Sequence, residues 1–179
     1  MRPLRVLIAL AALLALSMVA VAQAAASVDP AVAQVQLFLK RHGHQSGLPQ
    51  GEDARRIAPL LSARLNVAIA DARAAQARFI SRFPDEKPPL IEGPLFNSSS
   101  YEPYTGYRVL APAAPCGGDR CVLRVRFEDD TVTPALAWHD DFVLVREGGQ
   151  WRLDDIRYRP DEGDGAGSLR RALAEAHED

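Results

Sequence analysis

The chain has 179 residues with 21 basic and 23 acidic side chains, a formal charge of −2 at neutral pH. So mild a balance excludes nucleic acid as a partner, because phosphate binding needs a basic face. One domain's worth of chain can bury a real core, so neither metal nor cofactor is needed to hold the fold.

The first 26 residues read as a cleaved secretory signal. Arg2 and Arg5 lead into the apolar run Val6 to Ala22, and Ala22-Gln23-Ala24 and Ala24-Ala25-Ala26 supply A-x-A cleavage sites. At about 17 residues the run is at the lower edge of spanning length, and no basic stop-transfer cluster follows, so no stable membrane anchor is expected after cleavage. The mature chain is then expected to begin at Ala25 or Ser27, to work in the periplasm or outside the cell, and to form a single domain over 27–179.

Asp29-Pro30 predicts a helix start, with Asp as N-cap and Pro at the first helical position. Val32, Val35, Phe38 and Leu39 give it one apolar stripe before Gly43 ends it. His42-Gly43-His44-Gln45-Ser46-Gly47 reads as a polar loop with solvated histidines rather than a metal site, since no partner carboxylate or third His is placed nearby in sequence. A longer helical region is predicted over Ala54–Arg82, with Pro59 opening its second part. Leu61, Leu65, Ala68, Ile69, Ala72, Ala75, Phe79 and Phe83 form its inward stripe. Pro84, Pro88 and Pro89 then stiffen a connection.

Strand patterns follow at Thr105–Leu110, Val122–Glu128, Trp138–Arg146 and Trp151–Arg159, with Gly148-Gly149 as the last hairpin turn. Cys116 and Cys121 flank Gly117-Gly118. In an exported chain this spacing predicts a structural disulfide, worth about 2 kcal/mol through the short loop it closes; a lone C-x4-C is poor zinc spacing. Asp161–Gly167 reads as a polar linker and Ser168–His177 as a short helix. Residues 128–179 hold 14 acidic and 6 basic side chains, which a solvated acidic surface explains.

Helices followed by a strand meander predict an α+β fold. Two motifs narrow it. Pro84-Asp85-Glu86-Lys87-Pro88-Pro89-Leu90-Ile91-Glu92-Gly93-Pro94-Leu95-Phe96, continued by Tyr101-Glu102-Pro103-Tyr104-Thr105-Gly106-Tyr107, resembles the P-x-x-x-P-P-x-x-E-G-x-x-F stretch of DUF3828-type secreted bacterial domains. Gly149-Gln150-Trp151-Arg152-Leu153-Asp154-Asp155-Ile156-Arg157-Tyr158 resembles a closing strand common in that family and in the NTF2-like superfamily. The chain departs from the pattern at Glu102-Pro103, where a Glu-Gly turn is expected. The resemblance implies an NTF2-like cone: N-terminal helices on a curved antiparallel sheet, a short C-terminal helix, and a pocket at the mouth. It implies no particular chemistry.

Pairing of the last two strands places Trp138, Asp140 and Phe142 on one face of the first, and Trp151, Leu153 and Asp155 on one face of the second. Ile156 needs a bulge near Asp154-Asp155 to turn inward. With Arg124 and Arg126 on a neighbouring strand, the expected ligand pocket comprises Arg124, Arg126, Trp138, Asp140, Phe142 and Asp155. Asp140 or Asp155, helped by His139, is the candidate general base if the domain is a small acid/base enzyme. The bland alternative is that these acids pair with arginine or backbone. No phosphate-cradling Gly loop, G-x-S-x-G or H-E-x-x-H motif occurs. The reading is an exported non-catalytic module binding an unknown small molecule or protein. The other alternative is an inhibitor or immunity-type protein docking a partner on its sheet.

Overall fold

The computed structural model describes residues 28–99, 103–112, 116–159 and 167–176. The expected signal, Tyr101-Glu102 and most of the Asp161–Gly167 linker lie outside these residues. The first helix, α1, is Pro30–His42; Asp29 accepts the Ala31 amide at 2.8 Å and Pro30 fills the first helical position. The predicted long second helix is divided. Gly51–Ile57 forms α2, Ala58–Leu60 a 3-10 turn carrying Pro59, and Ala63–Arg82 forms α3.

The break has a tertiary cause. Leu61 leaves the helical path to bridge Leu153, and the Ser62 amide donates to the Leu153 carbonyl at 2.8 Å. Ser62 then caps α3, its hydroxyl accepting the Leu65 amide at 3.0 Å.

Four strands, β1 (Gly106–Val109), β2 (Arg120–Asp129), β3 (Leu136–Glu147) and β4 (Gln150–Tyr158), form an antiparallel meander in the order β1-β2-β3-β4. The architecture is therefore α+β, and Leu169–Glu175 adds the short terminal helix α4, capped by Ser168. The Cys116–Cys121 disulfide sits at the entry to β2, with Cα atoms 5.3 Å apart. Such a bond fits an oxidising compartment. Among the described residues no helix is long and apolar enough to cross a membrane.

Period-two alternation gives the sheet an inner and an outer face. Leu123, Val125 and Phe127 of β2, Trp138, Phe142 and Leu144 of β3, and Trp151, Leu153 and Ile156 of β4 are buried inward. Helix α1 lies across this face from β4 to β1. Phe38 meets Phe96 at 5.2 Å and Phe142 at 6.4 Å, and Phe127 stacks on Trp138 at 5.8 Å. Burying each such ring contributes about 1.5–3 kcal/mol, against about 0–1 kcal/mol for an exposed ion pair. The aromatic layer holds the fold.

The Pro-rich connection packs through one close approach. Gly47 donates to the Gly93 carbonyl at 2.9 Å, and Leu48 to that of Leu90 at 3.2 Å. A Cβ on Gly47 would stand 2.7 Å from the Ile91 carbonyl oxygen, and the residue has φ +68, so only glycine fits.

Candidate functional site

The β3–β4 register carries the bulge that Ile156 requires. Leu144 pairs with Leu153 and Val143 with Asp155, leaving Asp154 as the extra residue. Ile156 thereby joins Trp151 and Leu153 on the inner face. The same bulge moves Asp155 to the opposite face, beside Val143, which corrects the expectation that Asp155 shares a face with Leu153.

The expected pocket is divided in the same way. Across β2–β3, Arg124 is opposite Asp141 and Arg126 opposite His139, whereas Val125 is opposite Asp140 and Phe127 opposite Trp138. Cross-strand partners share a face. Trp138, Asp140 and Phe142 therefore line the inner face, while Arg124, Arg126, His139 and Asp155 lie on the outer one. The six residues do not converge on one cavity.

Asp140 is completely buried. Its Oδ2 accepts the Ser98 amide at 2.8 Å; its Oδ1 accepts the Ser98 hydroxyl at 2.5 Å and the Arg159 amide at 2.9 Å. Burial pushes the carboxyl above the usual carboxylate range, and the Ser98 and Arg159 donors offset part of that. Around it, the Arg159 Nε donates to the Ser98 carbonyl at 3.3 Å, and the Tyr158 hydroxyl to the Leu95 carbonyl at 2.6 Å. Burial and the nearby Asp140 and Asp155 charges raise the Tyr158 hydroxyl's pKa, so it stays a donor. The arrangement ties the segment after Phe96 and the end of β4 to one buried carboxylate.

Arginine does pair with acids here, but with their neighbours. Arg124 Nε donates to Asp141 at 2.9 Å on the outer face. Arg64 Nη2 meets Asp154 at 2.5 Å, and the Ser62 hydroxyl donates to the same carboxylate at 2.8 Å. Burial raises the Asp154 pKa, but the Arg64 and Ser62 hydrogen bonds outweigh it and hold the group below the usual range. Asp155 accepts the amides of Ile156 at 2.9 Å and Arg170 at 3.0 Å, anchoring the start of α4. Arg126 pairs with Glu128.

His42 corrects another expectation. It is the last residue of α1 and buried, its ring stacked on Phe38 at 5.6 Å and edge-on to Phe96 at 4.6 Å. The helix carries it one residue past the expected loop boundary. His44 is exposed, against Tyr104 at 4.5 Å. No three-residue cluster of potential metal ligands occurs among the described residues.

Ser98, Asp154 and Arg64 escaped the sequence reading. The only signal for Asp154 was the Asp-Asp pair at the expected bulge, and for Ser98 the Asn97-Ser98-Ser99 run after Phe96. Comparison with protein-family models, curated proteins and solved structures yields no match.

Proposed function

We propose that this chain is an exported, non-catalytic binding or protein-interaction module, with an NTF2-like curved sheet of the DUF3828 type. The observation that carries the reading is Asp140. Both oxygens of the best candidate base are already occupied by Ser98 and Arg159, and the adjoining inner face is filled by aromatic rings. A general base must reach a substrate proton within hydrogen-bond distance; this one is spent on joining two segments of chain.

The family resemblance is supported by the packing of its motif residues. Phe96 is buried against Phe38 and His42, Gly93 accepts from Gly47, and Trp151, Leu153 and Ile156 all point inward. Export is supported by the disulfide together with the signal-like leader.

Asp140→Ala separates the structural from the catalytic role. It strips three donors of their acceptor, and the expected loss is more than about 2 kcal/mol of unfolding free energy. A catalytic carboxylate commonly trades stability for activity, so its removal leaves stability level or raised. An Asp140→Ala protein that melts at or above the wild-type temperature overturns the reading.

A further inference from the structure

The exposed edge of α1 faces the β3–β4 turn across a cleft of about 540 Å3. Gln34, Leu37 and Arg41, spaced i, i+3 and i+7, form one helical stripe along it, and Trp151, Arg146 and Arg152 come from the hairpin. The size is that of a small-molecule site.

Its charge is one-sided. Among the described residues three arginines line the cleft and no carboxylate does. Helix α1 carries no acidic residue, and Asp29 at its start is held by the Ala31 amide. Glu147, next to Arg146, shares a sheet face with Gln150 and Arg152 but stands outside the cleft lining, where it accepts the Ala63 amide at 3.1 Å and forms no ion pair with either arginine.

Two of the arginines are positioned by neutral partners. The Arg146 guanidinium lies over the Trp151 ring at 4.5 Å, and Arg152 donates to the Gln150 side-chain oxygen at 2.5 Å. An aromatic face and an amide orient a guanidinium while leaving its charge uncompensated. Arg41 makes no ion pair with a described residue. Three positive charges, two of them held in place, focus the local field on an anion in a chain that is acidic overall.

We propose that this cleft binds a small oxyanionic molecule, one whose carboxylate or phosphate oxygens are gripped by Arg41, Arg146 and Arg152 and whose apolar part rests on Leu37. The inference rests on the binding-module reading and names its site and ligand class.

The test is a titration of the 15N-labelled protein with inorganic phosphate and, separately, with citrate, read at the Trp151 indole and Gly149 amide resonances. The expected result is a saturable shift with at least one of them, weakened about tenfold or more in Arg41→Ala/Arg152→Ala, and less in Arg41→Lys. A response to phosphate alone or to citrate alone assigns the anion. Arg41→Glu, a single change at an exposed helix position, serves if the double variant does not fold. The proposal is overturned by non-saturating shifts with both anions, by saturable shifts that the variants leave unchanged, or by a response only to an oligoglutamate peptide, which makes the cleft a protein-docking surface. None of these outcomes bears on Asp140, so this inference and the non-catalytic reading fail separately.

Discussion

Asp154→Ala probes the junction between the helical layer and the sheet. The carboxylate is 2% exposed at the β4 bulge and accepts from the Ser62 hydroxyl at 2.8 Å and from Arg64 at 2.5 Å. Ser62 is fully buried, so removing its acceptor costs about 1–3 kcal/mol. Arg64 is 57% exposed, and its share is discounted to about 0–1 kcal/mol. The expected total is about 1–4 kcal/mol, which for a domain of this size lowers Tm by roughly 2–16 °C. The assay is thermal and urea unfolding of both proteins as a function of pH. The folded pKa of Asp154 is held below its ordinary value, so its contribution is present above that ordinary value and lost as pH falls through the folded one. The gap between wild type and Asp154→Ala therefore narrows in acid. A gap under about 0.5 kcal/mol at neutral pH refutes the reasoning, as does one of constant size down through the acid range.

Trp151→Ala should destabilise by about 3 kcal/mol or more, since the ring is 6% exposed and packed in the inner layer; an unchanged urea midpoint would place the ring outside the core. His42 supplies a pH dependence of its own. Burial lowers its pKa, and Asp53 at 3.5 Å restores only part, so stability is full above the ordinary histidine value and declines as pH falls from there toward the folded value. Melting curves between neutral pH and pH ~5 should fall for wild type and fall less for His42→Phe; parallel curves would contradict this.

Local chemistry was legible where neighbours in sequence decide the structure. Asp29-Pro30 starts α1, Gly148-Gly149 turns β3 into β4, and the spacing of Trp151, Leu153 and Ile156 demands the bulge that is found. What the sequence alone did not reveal depends on register and long-range pairing. Arg124 and Arg126 alternate with core residues, but which face of β3 they meet is set by the β2–β3 connection. A one-residue difference there exchanges the faces. Asp155 was placed by unbroken alternation past a bulge that resets it. Leu61 and Ser62 look helical until Leu153 offers them a partner 91 or more residues away. Ser98 sits in a segment without periodicity, so nothing local marks it as the partner of Asp140.

The central claim, that Asp140 is a structural anchor rather than a reactive group, is tested most directly by amide hydrogen exchange at Ser98 and Arg159. Both amides lie outside regular strand and helix, and both donate to Asp140, at 2.8 and 2.9 Å. If the carboxylate holds them permanently, they exchange slowly, at rates approaching those of the β3 core, and Asp140→Ala releases both. Exchange of the wild-type Ser98 and Arg159 amides at the rates of an unstructured peptide would contradict the claim and return Asp140 to the list of candidate bases.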